Sequence, residues 1–401
     1  MKLFEYQAKE AFAAEGITIP RGLLCETPAA VAAAAQELGC PCVVKSQVLS
    51  GGRGKAGLIR LVRSVAEAQD YAVSLINGPH KVQRLLVEEA VDIGREIYIS
   101  ITVDPAAATA LVLACAEGGV EIEELARDRP EKIIREAVDI DVGLLPYQAR
   151  NIGYALGFDA DGVKQFVPVL EALWRVFRGK DAELAEINPL FVTKASEGKP
   201  ARIIAGDGKL STDDNAQFRQ AATEPDRSHF DSDTAFAAAQ DGIPYLQFDG
   251  DISLMCAGAG LTTVVYDLVN YEGGSVLNYL EFGGPNYRKA VRAMELCLTN
   301  KPKVILIVTF GTIARADIMA EGIAEAITKL KPTCPIVACI RGTGEEKAVE
   351  TLRAAGLDPL FDTEEAVRRA VRLAAEINAG RKPNSVAGCH AASSSKTGGQ
   401  A

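Results

Sequence analysis

The stretch Val43-Val44-Lys45-Ser46-Gln47-Val48-Leu49-Ser50-Gly51-Gly52-Arg53-Gly54-Lys55-Ala56-Gly57-Leu58-Ile59-Arg60-Leu61-Val62 decides how the first half of the chain folds. The β-branched pair Val43-Val44 makes a strand that ends on Lys45, so an ammonium stands where the strand enters a loop. Four glycines follow within seven residues, with Arg53 and Lys55 between them. Glycine accepts φ > 0 and lets backbone amides come close to a ligand, and two cations beside such amides suit the oxygens of a polyphosphate. Gly52-x-Gly54-x-x-Gly57 matches a dinucleotide fingerprint, but that motif opens a helix. Here residues 58–62 alternate β-branched and charged side chains and read as a second strand. A Walker loop needs Ser or Thr after its lysine, and Lys55 is followed by Ala56. Two readings remain: a hairpin with a solvated basic turn, or a flexible clamp over a nucleotide. The strand-borne Lys45 ahead of the loop favours the clamp.

The 401 residues give room for two or three domains, and an apolar content of 48% supports real cores. A net charge of -10 argues against a general nucleic-acid binder. The opening Met1-Lys2-Leu3-Phe4-Glu5-Tyr6 has no secretory character, and no apolar run reaches membrane-spanning length. Nine scattered cysteines, with Cys40-Pro41-Cys42 lacking zinc spacing, read as reduced thiols in a cytoplasm.

Helices are expected at 4–15, from the Thr27-Pro28 start to Gly39, and at 65–76 behind a Ser64 cap. Short strands are expected at 17–20, 85–89, 96–103 and from 110. This order differs from a regular βαβ repeat and predicts an α+β nucleotide-binding unit with antiparallel sheets. Helices at 146–156 and 162–178 follow by periodicity. A strand over 182–193 carries Glu186 and Asn188 on one face, and a second over 202–207 ends in Asp207. If these strands are neighbours, Asn188 and Asp207 present hard oxygens side by side, which suits Mg²⁺ completed by phosphates and water. The alternative is that both are ordinary strand-end turn residues.

Residues 226–241 are polar, acidic and poorly periodic, and read as a linker between a domain over 1–225 and another over 242–380. The second domain alternates strands (252–256, 276–280, 304–308, 336–340) with helices (261–270, 288–298, 316–330, 345–355, 363–378). That regular alternation predicts a doubly wound parallel sheet with ligands beyond the carboxyl ends of its strands. Those ends carry 257–260, 281–286, 310–315 and 341–344. Residues 381–401 are low-complexity and are expected to be disordered.

Taken together, Glu5-Tyr6-Gln7-Ala8-Lys9, the 51–57 loop, Leu86-Val87-Glu88, Glu117-Gly118-Gly119-Val120-Glu121-Ile122-Glu123, Glu186-Ile187-Asn188-Pro189-Leu190 and Asp207-Gly208-Lys209-Leu210 resemble the β subunit of succinyl-CoA synthetase. The resemblance covers nearly the whole chain apart from the tail. It implies an α/β protein, with an N-terminal ATP-grasp domain followed by a flavodoxin-like domain. It further implies that Lys45 and Gly52-Arg53-Gly54 clamp the nucleotide and its phosphates, that Glu88 and Glu96 lie on the adenosine side, and that backbone near Val91 reads the base. Asn188 and Asp207 would be the Mg²⁺ ligands, in agreement with the strand argument. Glu186 resembles the glutamate that receives a phosphohistidine loop, and Arg53 would neutralise the transferring phosphoryl group. Pro20 resembles members that use ATP rather than GTP.

The family reaction needs a phosphohistidine, and His80, His229 and His390 do not lie in a glycine-rich loop of the right kind. The histidine and the CoA site are therefore expected on a partner α subunit. The loops expected to hold the acyl carboxylate depart from the succinyl-specific pattern. Ala257 replaces an asparagine, Gly283-Gly284-Pro285 replaces three glycines, and Phe310-Gly311-Thr312-Ile313-Ala314-Arg315 differs at its middle. Losing a side-chain amide while Arg315 and Arg341 stay implies another acid, and these loops lean toward ATP-citrate lyase and citryl-CoA synthetase. The expectation is the β subunit of an ADP-forming acid–CoA ligase acting on succinate, malate, citrate or another small carboxylic acid. The rival of another class is a nucleotide sensor that has kept the fold; intact Lys45, Arg53, Asn188 and Asp207 count against it.

Overall fold

In the computed structural model, helix α1 (Glu5–Ala14) precedes a four-stranded antiparallel sheet of β1 (Gly22–Cys25), β2 (Cys42–Ser46), β3 (Ile59–Val62) and β4 (Leu85–Glu89), ordered β1-β4-β2-β3. The structure describes residues 1–80, 82–120, 122–195, 200–220, 227–230, 232–311 and 313–381. Thr312, Glu121, the residues around the expected 225/226 boundary and all but the first residue of the tail lie outside these. The chain divides into two compact units, Met1–Pro225 and Asp226–Ala401, each described by itself.

The glycine-rich stretch is the loop of a hairpin. β2 and β3 pair antiparallel with Lys45 opposite Ile59, which excludes the helix a dinucleotide fingerprint requires. Helices α2 (Pro28–Leu38) and α3 (Val65–Ile76) are stopped and started as the sequence indicates. Thr27 Oγ1 accepts from Ala30 N and Ser64 Oγ accepts from Glu67 N, both at 3.2 Å. Val31, Ala35, Ala68 and Ala72 bury one face of the pair against Val44, Val62 and Val87.

The second sheet of this unit has β5 (Ile93–Asp104), β6 (Thr109–Cys115), β7 (Ile134–Val138), β8 (Ala182–Thr193) and β10 (Lys209–Thr212) in the order β10-β8-β5-β6-β7, with β9 (Ile203–Ala205) also on β8. Helices α4 (Ile122–Asp128), α5 (Pro146–Ala155) and α6 (Ala160–Gly179) complete the unit. Phe12 of α1, Ile152 of α5 and Phe166, Leu170 and Leu173 of α6 form one core with Ile97, Ile99, Ala185 and Ile187 of the sheet. The first residues run beside the last strand: Leu3 N donates to Leu210 O, Thr212 N donates to Met1 O, and Lys2 bridges Ser211.

Two expectations are corrected here. Residues 17–20 are not a strand. Thr18 O accepts one bond from Ala205 N, but Pro20 has no amide for a ladder, and pairing begins at Gly22. The supposed linker contains helix α7 (Asp233–Gln240), capped by Ser232 Oγ on Ala235 N at 3.0 Å and anchored by the buried Ala238. Its acidic flanks hid an alanine-rich helix in the sequence.

The second unit places β11 (Tyr245–Gln247), β12 (Ile252–Ala257), β13 (Val276–Glu281), β14 (Val304–Gly311) and β15 (Ile336–Gly342) in the order β11-β13-β12-β14-β15. All neighbours are parallel except the edge strand β11. The parallel order, second-first-third-fourth, is that of a flavodoxin-like sheet. Both faces are covered, as unbroken apolar strands require. Leu254, Leu306 and Val308 face α8 (Ala259–Tyr271) and α12 (Thr363–Asn378). Met255, Ile305 and Ile307 face α9 (Ala290–Thr299), α10 (Ala316–Leu330) and α11 (Glu345–Ala354). Between β12 and α8 the turn is a single residue, Gly258, at φ +107.

Candidate active site

Lys45 does not project into solvent. Its Nζ pairs with Glu5 Oε1 at 2.8 Å and Glu88 Oε2 at 2.8 Å, and donates to Gly206 O at 2.6 Å. Lys9, one helical turn after Glu5, pairs with Glu5 Oε1 at 3.1 Å and Glu88 Oε1 at 2.5 Å. The four side chains close a buried ring of alternating charge across α1, β2 and β4. Arg53 extends it: Nη1 donates to Glu5 Oε2 at 2.6 Å, and Nη2 reaches both oxygens of Asp207 at 2.7 Å. The three carboxylates thus match the three cations. Burial works against the Lys45 ammonium, but Glu5, Glu88 and Asp207 more than offset it and hold its pKa above the ordinary value. Burial likewise opposes the Glu5 carboxylate, yet Lys45, Lys9 and Arg53 hold it well below the usual range.

In front of this ring lies a cavity of about 300 Å³, lined by the 48–55 loop, Glu5, Gly119, Val120, Glu186, Asn188, Asp207 and Lys209. Gly52, Arg53, Gly54, Glu186, Asn188 and Asp207 are therefore brought together, with Lys45 directly behind. The loop is folded on itself through Ala56 N to Gly52 O at 3.0 Å and Leu58 N to Arg53 O at 2.9 Å. Gly52 and Gly57 sit at φ +69, a region side chains disfavour.

Glu88, Val91 and Glu96 are not in this group. Glu88 was expected on the adenosine side; it is 2% exposed, with its oxygens turned to Lys9 and Lys45. Buried this deep, the carboxylate depends on both ammoniums, and removing either would leave buried charge uncompensated. Val91 lies in the connection from β4 to β5, and Glu96 on β5 is half-buried, its carboxyl pushed up by that burial.

β8 pairs with β9 so that Leu190 faces Ala205, and continuing that register sets Asn188 opposite Asp207. The sheet thus brings these two residues opposite one another, as adjacent strands would. Asn188 Oδ1 accepts from Gly119 N at 2.8 Å and its Nδ2 donates to Val120 O at 3.0 Å. Asp207 is chelated by Arg53, as above. Hard oxygens beside glycine amides and two cations fit Mg²⁺ that keeps phosphate and water ligands. Asn188 and Asp207 are the side chains that would hold such an ion. Glu186, two residues before Asn188, faces Lys209 across the strands and meets Tyr98 Oη at 3.2 Å. Burial raises its carboxyl above the ordinary value.

In the second unit, Ala257 ends β12 and Gly311 ends β14, and these strands are neighbours. Ala314 follows in the turn, Ile313 is 97% exposed, and Thr312 lies outside the described residues. Arg315 does not stand free. It chelates Asp317 at 3.0 and 2.8 Å, which holds that carboxyl down at about 2. Arg341 is held by Glu345 at 2.8 Å and Phe361 O at 2.8 Å. Both arginines are anchored by carboxylates of their own chain: Arg315 just after β14 and Arg341 at the end of β15 each meet the acidic first turn of the next helix.

Residues 2–192 match the family of the ATP-grasp domain and residues 255–373 that of CoA-ligase. A subunit of the ADP-forming sulfoacetate–CoA ligase of Bilophila wadsworthia (strain 3_1_6) is 58% identical over 94% of this chain and 99% of its own. The β subunit of an ADP-forming succinate–CoA ligase from Ignicoccus hospitalis (strain KIN4/I / DSM 18386 / JCM 14125) is 40% identical over 93% of this chain and 99% of its own. The chain belongs to the family of ADP-forming acid–CoA ligase β subunits. This β subunit shares its fold with the ATP citrate lyase of Methanothrix soehngenii, solved in complex with citrate and coenzyme A, at a TM-score of 0.68 and 20% identity over 94% and 99% of the two chains. Among its described residues no helix is long and apolar enough to cross a membrane.

Three residues at the site of this β subunit carried no role in the sequence reading: Glu5, Lys9 and Tyr98. Glu5 and Lys9 sat in a recognised motif, and their i,i+4 spacing of opposite charge on a helix otherwise turned to the core was the available signal.

Proposed function

We propose that this chain is the ATP-binding β subunit of an ADP-forming sulfoacetate–CoA ligase, completed by an α subunit that carries the phosphorylated histidine and most of the CoA site. The observation that carries the acid is the 58% identity, running almost end to end, with a ligase subunit named for sulfoacetate. A second such subunit, from Acholeplasma sp, is 55% identical over 93% of this chain. The acid loops support it. Ala257 stands where a succinyl-type enzyme has an amide, and the guanidiniums of Arg315 and Arg341, each paired here with a carboxylate of its own chain, are groups that suit a sulfonate's three oxygens.

The net reaction joins ATP, acid and CoA into ADP, phosphate and acyl-CoA. Lys45 and Arg53 bind the phosphates beside the glycine amides, and Asn188 and Asp207 would hold Mg²⁺, which draws charge off the transferring group. Glu186 orients the partner's histidine at the cavity mouth. The phosphoryl group passes to that histidine and then to the acid's carboxylate, and the CoA thiol displaces it. This chain contributes position and charge rather than a nucleophile.

The test is co-expression with the α subunit, supplying ATP, magnesium, CoA and one of sulfoacetate, succinate, malate or citrate, and reading ADP and thioester. Sulfoacetyl-CoA well above succinyl-CoA is expected. Succinyl-CoA or citryl-CoA as the main product would replace the proposed acid. No ADP with any acid would return the chain to the nucleotide-sensor reading.

A further inference from the structure

Glu5 has no part in the mechanism above, yet it touches both cations assigned to the phosphates, Arg53 at the cavity and Lys45 behind it. Its Oε1 accepts from Lys45 at 2.8 Å, and its Oε2 accepts from Arg53 at 2.6 Å and from Gln47 Nε2 at 3.2 Å. The side chain is 1% exposed, although Glu5 borders the cavity. Its backbone is fixed as well. Glu5 opens α1, Gln7 Oε1 accepts from Phe4 N at 2.9 Å, and Gln47 Oε1 accepts from Tyr6 N at 3.0 Å. Arg53 by contrast rises from a loop of glycines, which by itself leaves the guanidinium free to wander.

We propose that Glu5 is a positioning residue for the nucleotide phosphates: one carboxylate, fixed by the start of α1, sets the separation and direction of Lys45 and Arg53 before ATP arrives. The proposal rests on the reading of those two cations as phosphate contacts. Ordering them in advance removes a cost that binding would otherwise meet. The competing account is charge balance, in which Glu5 merely neutralises cations buried together.

The two accounts predict opposite signs. Glu5→Gln adds one net positive charge beside a site for an anion. Charge balance alone then makes ATP bind more tightly, whereas loss of position makes it bind more weakly. Glu5→Asp keeps the charge and shortens the reach by one methylene. Balance leaves its affinity at the wild-type value, and positioning lowers it.

The experiment is calorimetric titration of the whole complex with its α subunit by ATP in magnesium chloride, with KM measured separately for ATP and for the acid. For both variants we expect the Kd and KM for ATP to rise about tenfold or more, a misplacement effect, with the KM for the acid unchanged. A folded Glu5→Gln complex with equal or tighter ATP binding overturns the proposal. Should that variant fail to fold, Gln47→Leu removes the amide that steadies Glu5 without altering charge. It is expected to weaken ATP binding several-fold, and wild-type affinity there overturns the proposal. Lys45→Met separates the two readings. If it binds ATP as the wild type does, the phosphate reading of the cavity falls, and the role of Glu5 with it. If it loses ATP while Glu5→Gln does not, only the role of Glu5 falls.

Discussion

Glu186 and Lys9 are charged side chains kept under cover for different reasons. Burial raises the Glu186 carboxyl, with Lys209 and Tyr98 acting the other way. The folded chain therefore holds this proton more tightly than the unfolded chain does. Its contribution to stability is full below the ordinary carboxylate range and is lost as pH rises through the raised value. Glu186→Gln is thus expected to raise the melting temperature at neutral pH, to give no gain in acid, and to slow turnover. An equal gain at both pH values would mean that ionisation is not the cause. Tyr98→Phe removes the hydroxyl that bridges Ser100 Oγ and Glu186. It should move the pH profile of turnover further toward alkali while leaving the KM for ATP unchanged, since Tyr98 does not border the cavity. Lys9 is the structural member. Removing it leaves Glu88 with one partner in place of two, and Lys9→Met should cost about 3–5 kcal/mol in denaturant unfolding, the usual result of breaking a buried pair. None of these partnerships could be read from the chain. Lys9 and Glu88 lie 79 residues apart, and no local pattern joins an N-terminal helix to the fourth strand. That Asn188 and Asp207 stand opposite one another was legible only on the condition that their strands were neighbours, which the β8–β9 pairing meets.

The elements that were easiest to read carry their own start and stop signals. The 363–378 helix begins where Asp362 Oδ1 accepts from Glu365 N at 2.7 Å, and the β2–β3 hairpin is set by the glycines between its strands. Where tertiary contact decides, the reading failed: α7 is held by Ala238 in a core its own sequence does not reveal, and β10 exists because β8 is there to pair with it. The 117–120 loop is a further case. It crosses β5 so closely that a Cβ on Gly118 would stand 2.6 Å from Ile97 N, and that approach delivers Gly119 and Val120 to the amide of Asn188. Gly118→Ala must push the loop outward. The expected result is a folded protein whose magnesium requirement for half-maximal ADP formation rises several-fold; an unchanged requirement would show that Asn188 keeps its place without the loop.

Each of the two units has its own cores, and among the described residues no core draws on both units. The first, Met1–Pro225, produced alone, should fold with a cooperative melt and bind magnesium–ATP, measured by calorimetry, without making any thioester. A chain that stays unfolded would show that the cores are interdependent. That the second unit is a parallel sheet was legible from alternating apolar runs and helices, because a strand buried on both faces has no room for polar residues. What those runs could not convey is the pairing of Arg315 with Asp317 and Arg341 with Glu345, which is settled by where each strand end meets the next helix.

The run of residues 1–3 alongside 210–212 has a consequence for ancestry. The start of the first unit lies against its last strand, β10, the kind of neighbourhood between early and late segments in which joining old ends and opening a new pair is tolerated. An N-terminus held against that strand suits the first unit to being moved between chains as one piece.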